Sequence, residues 1–422
     1  MGTERAMPAT LHLQPPPSAA ELRATFDAVE PFTVGIEEEV MLLDPTSLDL
    51  APHADDVLAR LGGDPRFKRE LPAAQLEIST TPTAAAPAAL AQLAGARTTL
   101  LDACDGLARP AAAGVHPFSA LAGELNSGDR YDVIEDAYGP IARRQLVASL
   151  QVHVAVGGAE RTLAVHDALR SYLPELAALA ANGAFHGGHD SGLASARPIV
   201  CGMLPRQGIP PALRSWERLA AELSWGASAG VVAEPRLWWW ELRPHPSFGT
   251  LELRVPDAQT TLADAAGVVV AAQALVAWLA ERFDAGEQLP VAPSWRIAEN
   301  RFAALRHGLD GELADLERGE RMPARERLRA LLDALAPVAE RLGGGALLPH
   351  ARALSERNGA LRQRELAAAR GVRGLVAWQA ERYGDPLPDV LSPSSARAAS
   401  GSRVRDGSAA LGGRGSRVRR EP

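Results

Sequence analysis

Lysine and cysteine are almost missing from this chain of 422 residues. Lys68 is the only lysine, so nearly all positive charge is arginine, and no Gly-Lys-Ser or Gly-Lys-Thr sequence occurs. A P-loop of the usual kind, whose lysine reaches nucleotide phosphates, is therefore excluded. The two cysteines, Cys104 and Cys201, are too few for a disulfide framework, which favours a reducing, cytoplasmic location.

An excess of positive charge and long hydrophobic runs are also missing. The chain has 44 Lys and Arg residues against 51 Asp and Glu residues, a formal net charge of −7, so no global basic field attracts nucleic acid. We find no N-terminal signal pattern and no run of about 18 apolar residues, so neither secretion nor a membrane span is expected. The sequence leaves the oligomeric state open, a homodimer included.

Composition divides the chain into three parts. Residues 1–29 are rich in Pro and Ala and are expected to form a loose lead with one short helix at about 19–29. Residues 30–385 carry the hydrophobic patterns of one globular domain. Residues 386–422 are mainly Ser, Gly, Arg and Pro, a composition that cannot bury a core, so we expect a disordered tail.

Hydrophobic periodicity predicts strands early in the chain and helices late. The predicted strands are 32–43, 74–79, 112–116, 149–157 and 249–255. The predicted helices are about 54–61, 84–108, 130–148, 161–181, 211–225, 261–283, 296–317, 324–342, 348–369 and 371–383. This order favours the α+β class with a mainly antiparallel sheet.

Four predicted strands share one parity of polar and apolar side chains. Side chains alternate between the two faces of a strand, so Glu37 and Glu39 share one face, while Glu38 lies with the apolar residues on the other. The same alternation in the segments 75–79, 151–156 and 250–255 places four further polar residues opposite the apolar ones: Glu77, His153, Glu252 and Arg254. We therefore expect helices on the apolar face and an acidic face opposite.

Such an acidic face indicates divalent cations. Carboxylates on adjacent strands lie about 5 Å apart and repel one another. Mg²⁺ or Mn²⁺, bound through oxygen ligands, would relieve this repulsion. Because Mg²⁺ held by a few carboxylates usually also holds substrate phosphates, the pattern favours nucleotide chemistry. The alternative is the solvated polar face of an open sheet, since the sequence does not show which strands are neighbours.

Three further patterns have both a functional and a structural interpretation. Gly226-Ala-Ser228-Ala-Gly230 matches the nucleophile elbow of serine hydrolases, but the elbow needs a preceding strand and a helix-like segment stands there. His186-Gly-Gly-His189 is a candidate metal pair, although no nearby cysteine completes a zinc set. The run Trp238–Trp240 indicates either core packing or a wall for a flat ring such as adenine.

The motifs together resemble the type 2 glutamate–cysteine ligases, the ATP-dependent carboxylate–amine ligase family, from about Phe32 to Tyr383. The motifs that carry the resemblance are Gly35-Ile-Glu-Glu-Glu39, Gln75-Leu-Glu-Ile-Ser79, Gly114-Val-His-Pro-Phe118, Arg130-Tyr131, Val152-His-Val154 with Gly157, Ala181-Asn182 with Gly192 and Ser195 to Arg197, Arg243-Pro244, Thr250-Leu-Glu-Leu-Arg-Val255 and Glu299-Asn-Arg301. The resemblance implies a fold related to glutamine synthetase, with a curved, mainly antiparallel sheet whose polar face binds ATP, metal and substrates and whose other face packs on helices.

The resemblance also implies a reaction and a metal site. It implies that the side-chain carboxylate of glutamate attacks the γ-phosphate of ATP and releases ADP, and that the amine of cysteine or another small molecule then attacks the acyl phosphate and releases phosphate to form an amide. Two or three Mg²⁺ ions, with Mn²⁺ as the alternative, would bridge the phosphates. The residues implied as metal ligands are Glu37, Glu39, Glu77, His153 and Glu252.

Arginines supply the remaining implied roles. Arg254, assisted by Arg243, is expected to stabilise the transferred phosphate and so to be both catalytic and ATP-binding. Arg130, Tyr131 and Arg197 are expected to hold the substrate carboxylates. An acyl phosphate hydrolyses readily, so the Gly-rich segment 183–192 is a candidate cover for the loaded site.

The sequence departs from the family near His153. Many relatives have a second histidine where this chain has Ala155, and the segment 182–186 also differs from the common pattern. The departures leave three readings open: a weak glutamate–cysteine ligase, a ligase with another amine acceptor, and a relative that binds nucleotide or amino acid with little turnover.

Overall fold

The computed structural model describes residues 15–231 and 237–387. Its helices are α1 (Ala19–Asp27), α2 (Ala54–Arg60), α3 (Ala86–Cys104), α4 (Asp129–Tyr138), α5 (Ala159–Leu169), α6 (Leu173–Ala180), α7 (Arg197–Cys201), α8 (Trp216–Ser228), α9 (Leu262–Asp284), α10 (Ser294–His307), α11 (Ala324–Arg341), α12 (Leu348–Glu356) and α13 (Gly359–Arg382). Its strands are β1 (Val34–Leu43), β2 (Phe67–Arg69), β3 (Gln75–Ser79), β4 (Arg109–Ala111), β5 (Leu150–Ala155), β6 (Phe185–His186), β7 (His189–Asp190), β8 (Leu242–His245), β9 (Thr250–Leu253), β10 (Glu312–Ala314) and β11 (Arg321–Pro323).

The main sheet confirms the predicted α+β class. Its strand order is β2-β3-β1-β5-β9-β8, with β4 also paired to β1, and every pairing is antiparallel. The four strands that share the acidic parity, β3, β1, β5 and β9, are consecutive neighbours in this order. The sheet therefore places their polar side chains on one continuous face.

The strands that periodicity missed are short. β2 has three residues and β8 has four, which is too few for an alternating pattern to stand out. Pro244 within β8 also argues against a strand, since proline cannot donate to a ladder. Pro244 is nevertheless tolerated in β8, because this strand lies at the edge of the sheet. The strand predicted at 112–116 is instead β4, at Arg109–Ala111.

Several helices are shorter than predicted because proline or glycine interrupts them. The helix predicted at 130–148 ends at Tyr138, where Gly139 and Pro140 begin a 3₁₀ turn. The helix predicted at 161–181 is divided into α5 and α6 by a 3₁₀ turn that precedes Pro174.

The apolar face of the sheet packs against helices, with α9 at the centre. Helix α9 contacts α3, α5, α11 and α12 as well as β5. Among the described residues, α9 is the one helix that is long and apolar enough to cross a membrane, which the sequence analysis did not expect. In the fold, however, 89% of its most apolar stretch is buried. Its apolar length is therefore accounted for by a position in the middle of the core.

The middle glutamate of β1 is held on the helix side of the sheet, as its parity predicts. Glu38 is fully buried and forms an ion pair with Arg97 of α3. Arg97 also donates to the carbonyl oxygens of Gln259 and Tyr383, at 2.8 and 3.0 Å. This contact fixes β1 from behind while its neighbours Glu37 and Glu39 face the other side.

The N-terminal lead contains the expected short helix, and that helix is packed rather than loose. Ser18 and Glu21 form a capping box at the start of α1. Leu22 and Phe26 are buried, and the ring of Phe26 contacts that of Trp216 with centroids 4.7 Å apart. Residues 1–14 of the lead and 388–422 of the expected tail lie outside the described residues.

Candidate active site

Strand register brings three of the predicted metal ligands together. His153 pairs with Glu252 across β5 and β9, and Glu37 lies on β1, the neighbour of β5 on its other side. One potential ligand atom from each of these residues lies within 4.8 Å of the others. We call this group the triad; among the described residues it is the one cluster of three or more candidate ligands.

The chemistry of the triad fits a divalent cation. It offers two carboxylates, the ligand type that suits Mg²⁺ and Mn²⁺, and one imidazole nitrogen. His153 is 6% exposed, and within the described part of the chain its Nε2 has no hydrogen-bond partner, although a Glu37 oxygen lies at 3.5 Å. Thr250 lies 3.0 Å from the other ring nitrogen, which fixes the orientation of the ring.

Charge within the triad is balanced by neighbours. Burial alone would raise the pKa of Glu37, but contact with His153 outweighs it and the pKa lies below the ordinary value. Burial would likewise lower the pKa of His153, yet the charges of Glu252 and Glu37 raise it. These opposed shifts follow from the attraction between the imidazole of His153 and the two carboxylates.

A second acidic group lies beside the triad. Glu39 and Glu77 are directly opposite each other across β1 and β3. Burial raises the pKa of both carboxyls, with repulsion from Glu37 adding to the effect at Glu77. Glu70 joins them: burial, followed by repulsion from Glu39 and Glu77, raises its pKa well above the ordinary value. No periodic pattern in the sequence indicated Glu70.

Both predicted phosphate-binding arginines converge on Glu252. Arg243 donates from Nε and Nη2 to the two carboxylate oxygens, at 2.8 and 2.9 Å. Arg254 donates to Glu252 and to Gln151. These cations hold the pKa of Glu252 far below its usual range despite burial. Gln151, which strand parity places on the same face as His153, was overlooked by the sequence analysis.

A cleft of about 110 Å³ opens at one end of the acidic face. Its lining includes five of the predicted site residues, together with Glu70, Cys201, Trp239 and Glu241. The five are Glu39, Arg130, Tyr131, Arg197 and Arg254. The structure thus places all three predicted substrate-binding residues on one cavity next to the acidic groups.

Arg197 is held rigidly at the wall of the cleft. Its Nε donates to Asp257 at 2.9 Å, and its Nη2 donates to the carbonyl oxygens of residues 254–256. Asp257 also accepts from the backbone N–H of Asn182 and from the hydroxyl of Ser195, at 2.7 and 2.9 Å. A side chain at Gly114 would lie 2.6 Å from the Asp257 carboxyl carbon, so glycine is required there.

Three further residues make contacts at the wall of the cleft, and the sequence analysis gave no role to two of them, Glu241 and Arg301. Glu241 pairs with Arg301, from the Glu299-Asn-Arg301 motif, with both carboxylate oxygens 2.8 Å from the arginine Nε. Tyr131 donates its hydroxyl to the carbonyl of Arg69 at 2.9 Å, and burial raises the pKa of Tyr131 to about 12. Tyr131 is therefore a neutral hydrogen-bonding group at neutral pH.

Two of the alternative patterns take structures unlike their proposed sites. Ser228 is the exposed last residue of α8, so the strand–turn–helix of a nucleophile elbow is not formed. His186 and His189 face each other in the β6–β7 hairpin, and the described residues bring no third ligand to them.

Two further expectations concern the walls of the site. The segment 183–192, expected to cover the site, contributes no lining residue to the cleft. Trp238 and Trp240 instead line a separate cavity of about 280 Å³ with Trp225, while Trp239 lines the cleft.

We expect stability to depend on pH through His245. It is 5% exposed, and burial lowers its pKa from 6.5 to about 4. The unfolded chain takes up a proton here below pH 6.5 while the folded chain does not, so stability is complete above pH 6.5 and is lost as pH falls toward 4. We expect proton uptake by His245 in the unfolded chain to lower the free energy of unfolding by about 3 kcal/mol between pH 7 and pH 4.

Urea unfolding at a series of pH values checks this expectation. The wild-type protein and a His245→Gln variant are compared, because the difference between them removes the contribution of the carboxylates. The variant should show a shallower loss of stability on acidification. Identical pH profiles would contradict the assignment.

Comparison with known proteins identifies the family. The family model of glutamate–cysteine ligase family 2 matches residues 33–383. A protein of Rubrobacter xylanophilus with the provisional name glutamate–cysteine ligase 2-3 is 38% identical over 371 residues, which are 85% of this chain and 99% of the relative. A Thermobifida fusca protein with the provisional name glutamate–cysteine ligase 2 is 34% identical over 319 residues, which are 74% of this chain and 80% of the relative.

Two solved structures share the fold. A glutamate–cysteine ligase from Francisella tularensis, solved in complex with AMP, aligns with a TM-score of 0.62 at 11% identity and covers 87% of this chain and 92% of that chain. A bifunctional glutathione synthetase from Pasteurella multocida aligns with a TM-score of 0.60 at 14% identity, and the alignment covers 86% of this chain and 53% of that chain. At these identities the likeness concerns the fold alone.

Fold, site and relatives together define an ATP-dependent ligase that forms carbon–nitrogen bonds. The chain belongs to glutamate–cysteine ligase family 2.

Proposed function

We propose that this protein joins the side-chain carboxylate of glutamate to an amine, through an acyl phosphate made from ATP. The observation that carries the proposal is the contact of the triad, through Glu252, with two arginines, of which Arg254 also lines the cleft with other cationic and hydrogen-bonding groups. A weak glutamate–cysteine ligase activity is the first expectation, and a different amine acceptor is the alternative. The Cys104 and Cys201 thiols are both free, which agrees with the proposed cytoplasmic location.

The acidic groups would hold the Mg²⁺ that we propose as cofactor. The triad would bind one ion. Glu39 and Glu77, which lie opposite each other across β1 and β3, would supply carboxylates to another. Bound there, Mg²⁺ or Mn²⁺ would neutralise the phosphates of ATP during transfer.

Arg254 and Arg243 would stabilise the negative charge that develops on the transferred phosphate. Both are fixed by Glu252 and therefore need no reorganisation during the reaction. Arg254 also lines the cleft, so it touches both the acidic face and the space where a substrate carboxylate would lie.

Arg130 and Arg197 would bind substrate carboxylates, and Tyr131 would add a hydrogen bond. Their common position on the cleft supports this role. Arg197 is preorganised by Asp257, so binding costs it little conformational freedom. We infer that these residues select amino acids rather than simple amines or acids.

His153 would keep a fixed ring orientation although the second histidine of many relatives is missing. Ala155 occupies its position, opposite Thr250 in the strand register. Thr250 is in turn hydrogen-bonded to the ring of His153 at 3.0 Å. The threonine hydroxyl would therefore orient the remaining metal-binding imidazole, as partners behind metal ligands commonly do.

ADP release with Mg²⁺, ATP and glutamate, measured across the twenty amino acids and common small amines, tests the proposed function. One amine should raise ADP release well above the others and give a product of matching mass. A thermal shift with ATP but no ADP release with any amine would instead favour the low-turnover binding protein. The matched control omits glutamate, which separates ligation from simple ATP hydrolysis.

A further inference from the structure

We propose that Phe248 is a stacking platform for the purine base of the nucleoside triphosphate whose phosphates lie at the triad. Phe248 follows β8 in the turn that leads into β9. The inference rests on the proposed function, because it assumes that a nucleotide binds at the triad, and it adds the residue that holds the base.

The ring of Phe248 has one covered face and substantial exposed surface. It stacks flat on the buried ring of His245, with centroids 4.1 Å apart and an interplanar angle of 9°. It also meets His153 edge-on at 5.7 Å. Phe248 is nevertheless 54% exposed, and in the described parts of the chain no other aromatic ring is paired with it. A second flat ring can therefore stack on its outer face.

The platform is rigid before any ligand arrives. The backbone N–H groups of Phe248 and Gly249 both donate to the His245 carbonyl, at 3.2 and 2.9 Å. Gly249 has φ +66°, and a Cβ there would lie 2.6 Å from Val29 Cγ1 and 2.8 Å from the carbonyl oxygen of Thr25. The turn is thus pressed against the end of α1 and the loop after it, which keeps the ring in place.

Phe248 and the cleft lie at opposite ends of the triad. Along β1, Glu39 lines the cleft and Glu37 belongs to the triad. Along β9 and its flanks, Arg254 lines the cleft, Glu252 belongs to the triad, and Phe248 lies further on in the same direction. A nucleotide with its phosphates at the triad can therefore place its base at Phe248 while amino-acid substrates occupy the cleft.

The other aromatic candidates fit a base less well. Trp238 and Trp240 line the separate cavity with Trp225, and no triad residue lines that cavity. Trp239 lines the cleft among carboxylates and the candidate substrate-binding arginines. Among the described residues, Phe248 is the exposed aromatic residue whose ring is paired with that of a triad member.

The chemistry predicts the class of base. A phenylalanine ring offers a π face and no hydrogen-bonding group, so it recognises flat rings by stacking and favours the larger purines over pyrimidines. Removing such a ring costs about 1–3 kcal/mol per stacked base, which corresponds to a loss of affinity of about 5- to 150-fold.

Calorimetric titration with two ligands tests the proposal. The ligands are the Mg²⁺ complexes of the β,γ-imido analogue of ATP and of inorganic tripolyphosphate, which has the phosphates but no base. We expect Phe248→Ala to weaken binding of the nucleotide analogue by about tenfold or more and to leave tripolyphosphate binding unchanged. The matched variant Phe248→Tyr, which keeps the ring, should bind both ligands as the wild-type protein does.

The remaining outcomes overturn the proposal in distinguishable ways. Unchanged nucleotide binding by Phe248→Ala would show that the base lies elsewhere. Equal weakening of both ligands would show that Phe248 supports the triad rather than the base. Failure of the wild-type protein to bind either ligand would overturn the proposed function, and this inference with it.

Discussion

A Glu37→Gln variant should lose amine-dependent ADP release by about 100-fold or more while keeping its stability. Glu37 belongs to the triad, and glutamine is a poorer ligand for a hard cation than a carboxylate. In the described structure, the one ion pair of Glu37 is with His153, and the Glu37 side chain is 18% exposed. The substitution therefore leaves no buried charge without a partner. Steady-state ADP release and the thermal unfolding midpoint measure the two effects separately.

Two further variants make the interpretation specific. Glu30→Gln changes an exposed carboxylate just before β1 and should leave activity unchanged. Glu252→Gln should abolish activity but also destabilise the protein, because Arg243 and Arg254 would lose their shared carboxylate. Full activity in Glu37→Gln at saturating Mg²⁺ would exclude the triad as the catalytic metal site.

Replacing Arg97 with methionine should destabilise the protein by about 3–5 kcal/mol. Glu38 would remain buried with 0% exposure, without its arginine and with the Tyr383 hydroxyl 3.2 Å away. An unpaired charge in this position costs far more than a lost surface ion pair, because water cannot reach it. Guanidinium unfolding curves measure the loss.

The double variant Glu38→Leu/Arg97→Met separates the ion pair from the packing. With both charges replaced by apolar groups of similar size, most of the lost stability should return. The interaction free energy follows from the four proteins of the double-mutant cycle. A loss below about 1 kcal/mol in Arg97→Met alone would show that Glu38 is hydrated or neutral in the folded protein.

The ion pair between Glu38 and Arg97 also explains how a strand with three consecutive glutamates can lie in the centre of the sheet. Glu37, Glu38 and Glu39 are consecutive, so two of the three face the acidic side and the third must face the core. Arg97 neutralises the inward one and binds carbonyl oxygens from two other segments. The fold thus fixes β1 from the apolar side, which leaves Glu37 and Glu39 available for cations on the other side.

Local sequence determined the acidic face. Period-2 alternation is a property of any strand, so the parity of Glu37, Glu39, Glu77, His153 and Glu252 could be read before the strand order was known. The same alternation placed Glu38 on the helix side. The α+β class followed from the order of strand and helix patterns, and the family followed from motifs spread along the whole domain.

Only the tertiary structure decided which groups meet. The order β3-β1-β5-β9 joins strands that are far apart in the chain, and no local pattern encodes such pairing. Glu70 joins the acidic group from a loop, and Asp257 fixes Arg197 across 60 residues of sequence, so neither had a periodic signal. Phe248 resembles an ordinary turn residue until the flat stacking on His245 is seen. The sequence determines the faces of the elements because alternation is local, whereas the cleft and the platform depend on long-range packing.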